Sequence, residues 1–241
     1  MDTNRSLHRP ESFGARTALL IATAVSIGIA MMPWSVYAHA AWPLMIFSTF
    51  AHEMGHGLTA VMLGGTFDKF VMSPDGAGMA TYHFNGGGGR IADALVSAGG
   101  LVGPAVLGAL FFLFARSARA SRGLMLGLGV CGALSLLLVV RNGFGLIYVL
   151  CMSGVFLAVA LIAPAQLCRL VVAFLGVQLA ICVYTRSDYL FTETAGGNQP
   201  SDVAQMARAL VLPYWFWGAL CAAFSAYVLY RGVRATLKSG S

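Results

Sequence analysis

The chain has 241 residues, 58% of them hydrophobic and only 10% charged. An ordinary soluble domain carries about 25% charged residues, so this composition excludes one and implies a polytopic membrane protein. The net charge of +6 does not point to nucleic acid, because the Arg residues cluster between apolar runs, where loops beside a membrane carry them. Residues 1–16 read as a polar tail holding Arg5, Arg9 and Arg16. An uncharged run follows from Thr17 to Ala38. Ala38-His39-Ala40 resembles a signal-peptidase site, yet the run before it is long for a signal peptide and long enough to span. It reads as an uncleaved first helix.

Seven apolar segments can be marked, at about 17–37, 42–63, 92–115, 123–141, 144–163, 166–184 and 209–230. Each approaches the ~20 residues that a spanning helix needs. The expected fold is all-α, with about six to seven transmembrane helices in one membrane-embedded domain over residues 1–241. Gly99, Gly100, Gly103 and Gly108 predict close packing of the third helix on its neighbours. The five Cys residues lie in or beside apolar segments without CxxC spacing, and read as small buried side chains.

Two connections are long. Within 66–84, two short β-prone runs flank Ser73-Pro74-Asp75-Gly76, which predicts a β-hairpin. The stretch 185–208 is a polar loop, in which Ser201 reads as an N-cap and Asp202 as a first-turn acid of the last helix. If all seven segments span, both connections lie on one side. That side would hold Arg5, Arg9, Arg16, Lys69, Arg90, Arg141, Arg186 and Arg208. The other would hold Arg116, Arg119, Arg122, Arg169, Arg231, Arg234 and Lys238. Eight against seven does not orient the protein.

His52-Glu53-Met54-Gly55-His56 interrupts the second apolar segment. From Ala41 to Gly65 the only acidic residue is Glu53, and there is no Lys or Arg. A charge near a bilayer centre costs on the order of 2.5–3.5 kcal/mol on insertion scales, so this Glu needs a reason. H-E-x-x-H stacks two imidazoles one turn apart on a single helix face, where both can bind zinc. The Glu beside them is placed to take a proton from water on the metal. Gly55 and Gly57 flank His56 and are expected to leave room for metal and substrate.

Zinc in a catalytic site takes three protein ligands and keeps an open position. The third must come from elsewhere. His8 lies in the tail, His39 before the motif and His83 on the hairpin. Asp93, Asp188 and Asp202 are the stronger alternatives, and spacing does not choose between Asp188 and Asp202. Asn142 offers a contact to the reacting carbonyl or to water, or else ends a helix before Gly143. Phe70, Val71 and Met72 are expected to bind substrate if the hairpin pairs with an extended peptide; the alternative is a lid or plug.

The chain resembles the site-2-protease class of membrane-embedded zinc metallopeptidases, and is most similar to its compact bacterial branch. The matching stretches are His52-Glu53-Met54-Gly55-His56-Gly57 with Gly64-Gly65, Ser73-Pro74-Asp75-Gly76, Ser97-Ala98-Gly99-Gly100 with Gly103, and Ser201-Asp202 through Pro213 and Trp217. They span most of the chain, with no PDZ-like insertion. The resemblance implies His52 and His56 as zinc ligands, Glu53 as catalytic acid/base and Asp202 as third ligand. The better-known members carry an Asp-Gly pair where this chain has Asp202-Val203. It further implies an inner-membrane protein of bacteria that cleaves transmembrane segments of other proteins within the lipid bilayer, in regulated intramembrane proteolysis. A non-proteolytic metal-binding scaffold or an ion transporter are the competing readings.

Overall fold

A computed structural model describes residues 14–185, 188–195 and 199–238. In chain order these form α1 (Ala15–Ala30), α2 (Trp34–Met62), β1 (Thr66–Met72), β2 (Gly78–His83), α3 (Gly89–Phe114), α4 (Ala118–Leu138), α5 (Gly143–Ile162), α6 (Ala165–Thr185), α7 (Asp188–Phe191), α8 (Asp202–Ala209) and α9 (Tyr214–Lys238). Five helices, α3, α4, α5, α6 and α9, are long and apolar enough to cross a membrane. With α1 and α2 they make seven long helices among the described residues, and the expected all-α architecture with one hairpin holds.

Prolines move two of the expected boundaries. The first helix stops at Ala30, because Pro33 holds an extended conformation (φ −51°, ψ 142°) and residues before a proline are driven from helical geometry. Residues 34–40 therefore belong to α2, which carries Pro43 inside it. The last apolar segment is also divided. Leu210 is extended and Pro213 follows, so Asp202 sits on a separate short helix rather than at the start of the final long one. The stretch expected as a plain polar loop thus holds α7 and α8.

The simple alternation of seven crossings does not hold. Arg16 Nε at the start of α1 donates to Leu237 O at the end of α9, at 2.7 Å. An odd number of alternating crossings would put these ends on opposite faces. At 16 residues α1 is about 24 Å long, short of the ~30 Å hydrocarbon core. Helices α3 and α9 run parallel: Gly232 packs on Ala109, and Thr236 Oγ1 donates to Phe112 O at 2.6 Å. Arg16 thus joins the group of cations at the C-terminal ends of α3 and α9.

Glycine sets the close approach of α2 and α3. A Cβ at Gly55 would lie 2.3 Å from Gly99 O, and one at Gly103 would lie 2.9 Å from Ala51 O. Small residues let helix backbones meet in this way, as expected for the third helix. Phe47 of α2, Phe111 of α3 and Phe156 of α5 then meet edge to face in the core.

The hairpin is anchored on three sides. β1 pairs antiparallel with β2, with Phe70 opposite Ala80 and a bulge at Asp68. Its turn needs Gly76 at φ +90°, and Thr49 Oγ1 of α2 donates to Gly76 O at 2.8 Å. The far edge of β1 is closed by the α4–α5 connection: Phe70 N donates to Val139 O, and Arg141 N to Phe70 O. Both edges of β1 are therefore paired, and β2 holds the outer edge.

Candidate metal centre

The site begins with the period of α2. His52 and His56, four residues apart, bring their rings to 4.7 Å between centroids, with their Nε2 atoms 3.1 Å apart. His56 is buried, and its Nδ1 lies 2.8 Å from Val96 O of α3. A carbonyl can only accept, so this contact puts the ring proton on Nδ1 and leaves the Nε2 lone pair for a metal. Gly100 makes that ring position possible, since a Cβ there would lie 2.2 Å from the His56 ring.

Asp202 completes the group from the far end of the sequence. Its Oδ2 lies 3.1 Å from His52 Nε2 and 3.4 Å from His56 Nε2. Ser201 fixes the start of α8 as expected: its Oγ accepts from Ala204 N at 3.2 Å. The three donor atoms form a triangle with edges of 3.1, 3.1 and 3.4 Å. Zinc–nitrogen and zinc–oxygen bonds of about 2.0–2.1 Å in tetrahedral geometry place neighbouring donors roughly 3.3–3.4 Å apart. Two imidazole nitrogens and one carboxylate oxygen at this spacing fit a zinc ion, with one position left over.

Glu53 is one residue further round α2, facing the hairpin. It is buried, and its Oε2 accepts from Ala80 N at 2.7 Å. A buried carboxylate needs such donors. Gly78 lets the strand come this near; a Cβ there would lie 2.9 Å from Glu53 Oε1. Sequence reasoning did not single out Ala80, Gly78 or Val96. Two act through backbone atoms, which carry no residue signature, and Gly78 is one of many glycines in this chain.

The remaining site expectations fall elsewhere. The space beside Gly55 and Gly57 is filled by protein: α3 covers Gly55, and the Phe67 ring would lie 2.2 Å from a Cβ at Gly57. Phe70 and Met72 are buried in the core, Phe70 against Phe50 at 5.7 Å between rings, and Val71 lies opposite Met79. Both edges of β1 are paired, and the outer edge of the hairpin belongs to β2, whose Ala80 N is bonded to Glu53. Asn142 neither ends a helix nor lies free. It precedes α5, its Nδ2 donates to Met72 O at 2.6 Å, and its Oδ1 accepts from Met72 N at 3.1 Å. Each half of its amide thus makes one bond to the hairpin backbone, so Asn142 helps to hold β1 against the start of α5.

His39 bonds within its own helix to Ser35 O, and His83 pairs with Asp68 at 2.8 Å at the base of the hairpin. Asp93 is exposed near the start of α3. His8 and the side chain of Asp188 lie outside the described residues. Among those described, only His52, His56 and Asp202 gather as a group of three potential metal ligands.

The family model described as peptidase M50B-like matches residues 20–232. The chain belongs to that family, and is a multi-pass membrane protein of the site-2-protease class of metallopeptidases. No curated protein and no solved structure matches it.

Proposed function

We propose that this protein is a zinc-dependent endopeptidase that hydrolyses peptide bonds in or near transmembrane segments of other membrane proteins. Residues 1–241 act as one membrane-embedded domain, and the setting is the cell membrane of a bacterium. The observation that carries the reading is the donor triangle of His52, His56 and Asp202 with the carboxylate of Glu53 beside it.

His52, His56 and Asp202 hold the metal. Bound zinc supplies a Lewis acid that acidifies water and polarises a carbonyl. Glu53 takes the proton from the attacking water and delivers it to the leaving amine nitrogen. Val96 O keeps His56 in the tautomer that presents Nε2. A helical substrate hides its carbonyls in backbone hydrogen bonds and must unwind first. The outer edge of β2 offers main-chain partners to the extended segment that results. Ala80 N lies on that edge and on Glu53 at once, which brings a paired peptide to the base.

The test uses the purified full chain, a membrane-protein substrate and the Glu53→Gln variant. Gln keeps the shape and loses the base. Zinc content is expected to stay at the wild-type level, while cleavage falls by about 10²–10⁴-fold. Cleavage that survives Glu53→Gln overturns the mechanism.

A further inference from the structure

The hairpin brings a further side chain to the metal centre. Strand β2 lies along α2, and the two elements advance together. A Cβ at Gly78 would lie 2.7 Å from the Thr49 side chain and 2.9 Å from Glu53 Oε1. Ala80 N bonds Glu53 Oε2. Tyr82 stands opposite Phe67 of β1, and the Phe67 ring covers Gly57, the residue after His56. From Gly78 to Tyr82 the strand therefore passes from the level of Thr49 and Glu53 to that of Gly57.

Alternation decides which way Tyr82 points. Side chains alternate between the two faces of a strand, so Gly78, Ala80 and Tyr82 share one face. The Gly78 contacts show that this face meets α2, whereas Met79 and His83, on the other, are exposed. Tyr82 itself is half-buried. The Phe84 ring meets it edge to face at 6.0 Å between centroids, which fixes its place. Asp93 and the ligand Asp202 lie near enough for their charges to act on its hydroxyl. Burial first, and then those two charges, push that hydroxyl above the ordinary tyrosine range, so it holds its proton and can donate.

A carbonyl oxygen under attack gains negative charge and is best met by a fixed hydrogen-bond donor. Glu53 acts in the proposed centre as a base, and His52, His56 and Asp202 turn acceptor atoms to the metal, so none of the four supplies that bond. Tyr82 can. Given the peptidase reading, on which this rests, we infer that the Tyr82 hydroxyl donates a hydrogen bond to the scissile carbonyl oxygen, which makes Tyr82 a further catalytic residue. The water oxygen bonds to the carbonyl carbon, and one water proton passes to Glu53. The π pair of the carbonyl moves onto its oxygen, which accepts from Tyr82 O–H without taking that proton. The pair then returns, the C–N bond breaks, and the proton on Glu53 goes to the leaving nitrogen. The products are a carboxylic acid and an amine.

The experiment compares wild type, Tyr82→Phe and Glu53→Gln as purified full chains acting on a membrane-protein substrate, with zinc measured in each. Tyr82→Phe keeps the ring and loses the donor. It should keep wild-type zinc content and a KM within about threefold, while kcat falls by about 10²–10³-fold. A second measurement needs no turnover. Photoreactive p-azidophenylalanine replaces Tyr82 or, as a control on the opposite face of the inner strand, Lys69, each in the Glu53→Gln background. Irradiation with bound substrate should crosslink it to position 82 and not to position 69. If Tyr82→Phe does not fold, the crosslink decides alone. Undiminished kcat in Tyr82→Phe, with Glu53→Gln inactive, overturns the inference and leaves the peptidase reading standing. So does a fall in kcat that follows loss of zinc, or the absence of a crosslink at position 82. Cleavage that survives Glu53→Gln overturns the reading itself.

Discussion

At the scale of single residues, the centre depends on a contact that exists because a side chain is missing. Gly100 lets the His56 ring reach its place, and a Cβ there would lie 2.2 Å from it. Gly100→Ala is therefore expected to cost about 1–3 kcal/mol by overpacking, and to lower zinc affinity, as measured by thermal unfolding and metal titration. Gly108→Ala, whose Cβ would meet a flexible Leu229 methyl at 3.2 Å, should be milder in both. Asp202 tests the ligand set more directly. Asp202→Ala removes one of three donors, and should weaken zinc binding by at least the roughly 10–100-fold that losing an outer-shell partner costs. Unchanged affinity and stoichiometry would remove Asp202 from the centre. Ala80→Pro deletes the N–H that Glu53 accepts, at a position whose N–H faces away from the ladder. It should leave zinc content unchanged and slow cleavage.

At the scale of elements, the hairpin is held to the bundle by an amide that imitates a strand. Asn142 bonds both the N–H and the C=O of Met72, while Val139 and Arg141 bond Phe70. Asn142→Ala leaves two part-buried backbone groups without these partners. The expected cost is about 1–3 kcal/mol, with faster amide exchange in β1, measurable by hydrogen exchange of the protein in detergent. This element-scale role was hidden in the sequence. An Asn before a Gly reads as a helix end, and only the arrival of β1 turns its amide inward. The same holds for α8. Ser201 and Asp202 are legible as a helix start, yet the break at Leu210–Pro213 is what frees that start from α9. Had the two helices been one, Asp202 would have stayed at the bundle's edge, about 15 Å from the level of His52, which lies ten residues before the end of α2. As a separate short helix packed on α3, α8 brings the carboxylate to the histidines.

At the scale of the whole molecule, the candidate metal group of His52, His56 and Asp202 brings together α2 and α8, segments some 150 residues apart in the chain. An ion held by both, as proposed, would close that long loop and bind the folded state rather than the unfolded one. At a free zinc concentration about 100-fold above its dissociation constant, this is worth about 2.7 kcal/mol of stability. Chelation should therefore lower the unfolding temperature of wild type and leave that of Asp202→Ala almost unmoved. A shift of equal size in both would place the stabilising metal elsewhere.

The amino-acid sequence by itself determined the solvent, the class of architecture and the local half of the site. Low charge and seven long apolar runs dictate a membrane bundle. The spacing of His52, Glu53 and His56 follows from the period of one helix, which short-range geometry alone imposes. Tertiary structure decided the rest. It set the depth of Asp202 through a proline break, the tautomer of His56 through a carbonyl on α3, the partner of Glu53 through a backbone N–H on β2, and the meeting of Arg16 with the end of α9. Each of these depends on which surfaces pack together across long stretches of chain, and a backbone atom carries the same chemistry whatever residue it belongs to.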